Sequence, residues 1–398
     1  MSLNSLNLEL LAITMSRKRP CSASPDFPEY WKKAQYIRQL EFEEILQIII
    51  ANDSEKLKRV IENDQVYDIN MTIGSYAEET LLTEACERGS SECVKVLLDN
   101  GADFHTRNLE GFDPFTAACY SGHIALIKLL IKESTFIDDD LLLRCFGSSE
   151  IMSKTEVVAI LLEQIVDVDT DDKDYSNFLY CACKVGNVSV ATNLLERGAN
   201  RDAVNSKGSD SLCVAAERGH IHIIKLLINW NRETLPIPQS SVNKALIGAA
   251  SAGHTEVLRI LTELGSTDKN TLTLALHAAL EWTDIEPIEY LLSIGADVNA
   301  GDRVNHPPLH RVFYSRPRHC RYTLYDSTRG VNNPELLTLV LKHGANINHA
   351  DQYGYTALSR SILARDMVAI HILMEYGADL DVVYTNGSNL LLTSIEHN

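Results

Sequence analysis

Thr80-Leu81-Leu82-Thr83-Glu84-Ala85-Cys86-Glu87-Arg88-Gly89, continued by Val94-Lys95-Val96-Leu97-Leu98-Asp99-Asn100-Gly101-Ala102-Asp103, decides the fold because it returns in altered form down the chain. Counting from Thr80, the pattern restarts at Asp113, Asn177, Asp210, Lys244, Leu274, Pro307, Thr356 and Asn389. Four of those steps are 33 residues, one is 34 and one is 30. A fixed period of this size marks stacked supersecondary units, none of which buries its apolar face alone.

Each unit reads as two short helices and an extended connector. The first helix begins at the unit start and carries small residues such as Ala117-Ala118, Ala215-Ala216 and Ala249-Ala250, which let neighbouring helices approach closely. A glycine then breaks it, at Gly89, Gly122, Gly186, Gly219 and Gly253, and His123, His220 and His254 follow three of these. The second helix shows apolar residues at helical spacing, as at Ile124, Ile127, Leu129 and Leu130. A second glycine ends it, at Gly101, Gly198, Gly265, Gly295, Gly344 and Gly377. Glycine suits the left-handed backbone of a helix C-terminus.

Pro307-Pro308-Leu309-His310, Gly253-His254, Leu291-Leu292 and Gly295-Ala296-Asp297-Val298-Asn299 complete the pattern, and Gly344-Ala345-Asn346-Ile347-Asn348 and Gly377-Ala378-Asp379-Leu380-Asp381 repeat its last part. With these residues the chain resembles the ankyrin-repeat family over residues 39–398. The resemblance implies an all-α solenoid of about ten helix-turn-helix units with short β-type connectors. It also implies a non-catalytic protein-binding scaffold or adaptor whose concave face carries the contacts. The alternative is the targeting or substrate-receptor portion of a larger enzyme complex, such as a ubiquitin ligase.

The units are not uniform. A weak first unit runs from Leu40 to Gly74, with Leu57, Val60 and Ile61 at second-helix positions. The unit at 138–172 is degenerate: Leu141 to Phe146 gives a first helix, Val157 to Leu162 a second, and extra residues lie between. The unit at Pro307 carries an insertion at 316–331, and residues 385–398 make an incomplete last unit, so the expectation is a fragment or an unusual cap. Residues 1–38 form a separate region, expected as a disordered tail with a docking helix from Trp31 to Ile50. Met15 is an alternative start.

The totals narrow the partners. Acidic residues number 54 against 36 basic, a formal charge of −18. Such a surface disfavours nucleic acid and anionic membrane, both of which need basic residues. Runs such as Ile48-Ile49-Ile50 are too short to span a bilayer, and no signal peptide is legible. Most of the nine cysteines, including Cys86, Cys93, Cys119, Cys181, Cys183 and Cys213, lie in apolar helical patterns. That is the setting of reduced thiols in the cytosol or nucleus. The expectation is a monomer of the cytoplasm, with the nucleus as the alternative; Ser16-Arg17-Lys18-Arg19-Pro20 reads as an import signal or, more plainly, as a solvated tail.

Little of the sequence reads as catalysis, metal or cofactor chemistry. A phosphate-binding glycine loop, H-E-x-x-H and G-x-S-x-G are all missing from the sequence. His123, His220 and His254 recur in phase with the repeat and read as bonding backbone in the helix turn. Asp167-Val168-Asp169-Thr170-Asp171 opens like a calcium loop but has Asp172 and Phe178 where glycine and glutamate belong, so it reads as an acidic inter-unit turn. His306, His310, His319 and Cys320 could gather around zinc, but His310 already fills the family's structural histidine place. No metal or cofactor is expected.

A partner site is expected where the family exposes side chains: the residue before each unit start and the seventh and eighth after it. These positions include Phe112, Tyr120, Glu87, Arg88, Glu217, Arg218, Glu281, Trp282, Tyr314 and Tyr355. Trp282, Tyr314 and Tyr355 fall in successive units and are expected to form one stripe; the plainer reading is local packing of Trp282. Arg316, Arg318 and Arg321, with Tyr322 and Tyr325 among them, make a basic island in the insertion. It reads as a docking loop for an acidic segment or, more plainly, as a tolerated surface insertion. The partner expected is another protein.

Overall fold

The computed structural model describes residues 44–62, 69–70, 72–73, 79–109, 111–133, 137–169, 177–231, 236–264, 268–282, 284–301, 306–313, 333–351 and 354–380. The described chain is helical, and it divides into two compact units, Met1–Glu133 and Ser134–Asn398. The first unit holds α1 (44–50), α2 (Ser54–Glu62), β1 (Thr72–Ile73), β2 (Glu79–Thr80), α3 (Leu81–Arg88), α4 (Ser91–Asp99), α5 (Pro114–Ser121) and α6 (Ile124–Glu133). Strands β1 and β2 pair antiparallel, Thr72 opposite Thr80 and Ile73 opposite Glu79, and make the one sheet among the described residues.

The second unit runs through α7 (Asp139–Gly147), α8 (Ser149–Met152), α9 (Thr155–Gln164), α10 (Phe178–Val185), α11 (Val188–Glu196), α12 (Ser211–Arg218), α13 (Ile221–Asn229) and α14 (Gln239–Ala252). It continues with α15 (Thr255–Thr262), α16 (Lys269–Ala279), α17 (Ile285–Ser293), α18 (Pro308–Arg311), α19 (Pro334–Lys342), α20 (Ala357–Leu363) and α21 (Met367–Glu375). First helices stack on first helices, from α10 through α12, α14 and α16 to α18. Second helices stack likewise, from α11 through α13, α15, α17 and α19 to α21. Ala182, Ala215, Ala249 and Ala275 line the first-helix contacts at zero exposure, so the small side chains do set the close approach.

The first helices start where the sequence places a short polar side chain. Thr80 accepts from Thr83 N at 3.1 Å, Asp113 from Thr116 N at 2.8 Å, Asn177 from Tyr180 N at 2.8 Å and Asp210 from Cys213 N at 2.8 Å. Each bond satisfies an otherwise orphaned N–H of the first turn. The left-handed residue after the helix is usually glycine, as at Gly89 with φ 72°, but Asn52 at φ 50° and Arg365 at φ 54° take the same place in the first and last described pairs.

Two helices start earlier than the repeat phase implies. α14 begins at Gln239 and α16 at Lys269, upstream of the expected starts at Lys244 and Leu274. Before α5, α12 and α20 a turn forms in which Gly111, Gly208 and Gly354 donate to the carbonyls of Asn108, Asn205 and Asp351. Neither connector ahead of α14 or α16 carries that polar-x-x-Gly sequence, and the helix runs from an upstream start, Asp268 capping α16 through Thr271 N at 2.8 Å.

The degenerate unit keeps the expected pair, α7 and α9, and its extra residues form the one-turn helix α8 between them. In the weak first unit Leu57 is fully buried, and Ile45, Ile48 and Ile49 of α1 lie in the core. The tail 1–38, Gly265, Thr283, the insertion 316–331 and the last unit 385–398 lie outside the described residues.

Candidate functional site

In four units the residue after the glycine that ends the first helix ties its unit to the preceding one. Ser90 Oγ donates to Ile49 O at 2.6 Å, and Asn187 Nδ2 donates to Met152 O at 2.9 Å. His123 Nε2 lies 2.7 Å from Glu87 O, and His220 Nε2 lies 3.2 Å from Lys184 O. The histidines are therefore structural, but they bond the neighbouring unit's carbonyl and not their own turn. Ser90 and Asn187 share the task, which sequence reading missed because neither is histidine.

The connectors add a second set of ties. Asp169 Oδ1 accepts from Asn200 N at 2.7 Å, Asn299 Oδ1 from Asn346 N at 2.7 Å, and Asn348 Oδ1 from Asp379 N at 2.9 Å. Asp169 N donates to Asp167 Oδ1 at 3.0 Å, so this acidic pair is engaged as the inter-unit turn. Two arginines absent from the sequence reading seal helix ends: Arg197 donates to Leu162 O and Ile165 O, and Arg201, only 4% exposed, donates to Trp230 O at 3.0 Å. These bonds hold the surface-bearing turns in fixed relation, the preorganisation a binding face needs.

On the first unit, Phe112 and Tyr120 make an aromatic pair with ring centroids 5.1 Å apart. Tyr120 is 40% exposed and Phe112 half-buried, with Phe112 N held by Asn108 Oδ1 at 2.9 Å. Glu87 and Arg88 are exposed beside them in sequence phase, and Arg88 Nε donates to Glu84 Oε1 at 2.6 Å. The Glu84 carboxylate holds the Arg88 guanidinium firmly in its charged form. Carboxylate oxygens of Glu79, Glu84 and Glu87 lie within 4.8 Å of one another, giving this face an acidic edge.

On the second unit the corresponding positions are less free than the sequence implied. Trp282 and Tyr355 are half-buried. Tyr355 stands beside the Arg360 guanidinium, 5.9 Å from ring centroid to Cζ, and its N–H donates to Asp351 Oδ1 at 2.9 Å. Glu217 and Arg218 are exposed, but the Glu217 chain fills the gap left by Gly248, its Cγ 2.8 Å from where a Cβ would stand. Tyr180 is a further surface residue that the sequence did not single out. Burial and then the Glu217 charge raise the pKa of its hydroxyl. Lys244 Nζ donates to Gly208 O at 2.7 Å, joining α14 to the preceding connector turn. Tyr314, Arg316, Arg318 and Arg321 lie outside the described residues, so the expected stripe is represented by its two ends.

Of the candidate zinc grouping, His306 and His310 are described. His310 is fully buried, with Nε2 2.8 Å from His349 O, and His319 and Cys320 lie outside the described residues. The seven described cysteines are buried free thiols, and burial raises Cys93 to about 11 and Cys213 to about 12. Among the described residues no helix is long and apolar enough to cross a membrane.

Comparison with known proteins bears on this arrangement. The family of ankyrin repeats (three copies) matches residues 43–140 and 149–236. A putative ankyrin repeat protein of fowlpox virus, FPV232, is 29% identical over 255 residues, covering 57% of this chain and 52% of that protein. The human ankyrin repeat and SOCS box protein 6 is 28% identical over 187 residues, covering 44% of this chain and 41% of that protein. The chain thus spans about half or less of the length of these two relatives. The crystal structure of the human ASB11 ankyrin repeat domain aligns with 67% of this chain and 98% of that one, at 18% identity and a TM-score of 0.37.

Proposed function

This chain is an ankyrin-repeat protein, and from that premise we propose that it is a non-catalytic scaffold or adaptor that holds a partner protein against its first helices and connector turns. Ankyrin repeats mediate protein–protein interaction. The observation that carries the finer reading is the double set of inter-unit ties, at Ser90, His123, Asn187 and His220 and at Asp169, Asn299 and Asn348. They spend the polar groups of the connectors on rigidity and leave side chains such as Tyr120 and Arg218 presented from fixed backbone. Aromatic and arginine residues so presented are the usual interface anchors.

A second reading rests on the relatives. Similarity extends to a protein whose name joins ankyrin repeats to a SOCS box, and to one from Caenorhabditis elegans whose name joins them to a KH domain. It makes this array the targeting portion of a larger assembly, such as the substrate receptor of a ubiquitin ligase.

Hydrogen exchange of the full chain with a partner obtained by affinity capture tests the first reading. Protection is expected at the C-terminal turns of α3, α5, α10 and α12 and at the turns Asn108–Gly111 and Asn205–Gly208. Replacing Tyr120 by Ala is expected to weaken binding by about 2 kcal/mol, mostly through faster dissociation. Protection confined to second helices defeats the proposal. Turnover of the captured partner, such as ubiquitin transfer to it in a reconstituted assembly, favours the second reading.

A further inference from the structure

The second helices share an outward row of side chains, and in one of them that row changes character. Glu92 in α4, Glu156 in α9, Glu256 in α15, Glu286 in α17 and Glu335 in α19 all occupy the second helical position. There a carboxylate is stabilised by the positive end of the helix dipole. In α21 the place is taken by Val368, 55% exposed, and the residue before it is Met367, 68% exposed. One and two turns on, the same face carries His371, Ile372 and Glu375, and these five residues line one shallow, open groove on this helix alone. The row in register on α19, from Pro334 to Lys342, lines a groove of mixed polarity together with Ile285.

α21 is therefore apolar outward as well as inward, where Ala369 and Leu373 are buried. A helix apolar all round is a covered helix. The surroundings of the patch are net acidic, with Glu375 exposed within it, Asp379 exposed beyond the helix end and Asp366 capping the helix start beside exposed Arg365, in a chain of charge −18. That net charge opposes a second copy of the same face and favours a cationic one. We propose that the outward face of α21 is a docking groove for an amphipathic helix of a partner protein, with apolar residues against Met367, Val368 and Ile372 and basic residues toward Glu375 and Asp379. This is a site separate from the first-helix face, and it uses the helix-in-groove mode of recognition.

The decisive variant is Val368→Glu. It restores the residue that five other second helices carry, so it keeps the fold while charging the groove. The probe is a fluorescent 14-residue Leu/Lys peptide with a single leucine face, titrated against the full chain by anisotropy. The expected result is saturable binding that weakens at least tenfold in Val368→Glu and with added salt, no binding of a Leu/Glu peptide of the same pattern, and slower peroxide oxidation of Met367 in the complex. Four outcomes overturn the proposal. The Leu/Lys peptide fails to bind, or binds the variant equally well. The acidic peptide binds as tightly as the basic one. Met367 is protected in the free chain, which makes residues 381–398 the cover. Sedimentation shows a dimer that Val368→Glu dissociates, which makes a second copy the occupant.

Discussion

Gly89 and His123 occupy one volume between them. A Cβ added to Gly89 would stand 2.5 Å from His123 Nδ1, and the ring lies there because its Nε2 reaches Glu87 O. Gly101 has the same left-handed backbone, φ 82° against 72°, but open space where its Cβ would be. The two glycines separate backbone strain from side-chain overlap. Gly101→Ala is expected to cost about 1 kcal/mol from the positive φ alone. Gly89→Ala is expected to cost about 1 kcal/mol more, and that excess should vanish in a His123→Ala background, giving a coupling on the order of 1 kcal/mol. Urea denaturation of the four variants measures it; strictly additive losses would show that the ring simply swings aside. The glycine and the histidine were each legible in the sequence. Their mutual contact was not, since the two residues lie 34 positions apart and belong to different units.

The elements that meet around His310 carry a pH dependence. His310 sits in the four-residue helix α18, its Nε2 bonds His349 O in the connector, and Asp351 of that connector pairs with Arg360 of α20. Burial above all, with the Arg360 charge, lowers His310 from 6.5 to about 4, although the His349 bond and Asp351 act the other way. The unfolded chain thus binds the proton first as pH falls. The stabilisation is complete above about pH 6.5 and is lost as pH drops toward about 4. At 1.36 kcal/mol per pH unit the upper bound is about 3 kcal/mol. Hydrogen exchange in α18–α20 should accelerate across that window in the parent chain and much less in His310→Gln. Identical profiles would assign the acid sensitivity to other groups, Asp351 first. Sequence phase gave the structural role of His310 at once through the Pro-Leu-His motif. The early starts of α14 and α16 were hidden, because only an upstream cap, Asp268 in one of them, records where the helix begins.

At the scale of the molecule, stability is a sum over neighbours, and the weak joint should lie where the repeat geometry is interrupted. The degenerate unit at 138–172 replaces a regular inter-helix turn with α8, although Met152 O with Asn187, Asp169 with Asn200, and Leu162 O and Ile165 O with Arg197 still tie it to the next unit. Amides of α7 and α9 are expected to exchange faster than those of α12 and α14. Uniform protection across these four helices would exclude a weak joint there. The repeat, its caps and its small-residue contacts were readable because they recur in phase. The exposure of Trp282 and Tyr355 was not, because each depends on neighbours that depart from the period. The glycine–histidine fit also limits how the chain can be rearranged. Gly186 accepts the ring of His220, and Gly219 that of His254, so a unit bearing the ring must follow a unit bearing the gap. The unit at Leu274 has Thr283 where the gap would be and Asp284 where the ring would be. Units therefore join like dominoes, and a chimera that moves the Lys244 unit behind the Leu274 unit would put His254 against a filled place. Recombination within such an array conserves adjacency as well as period.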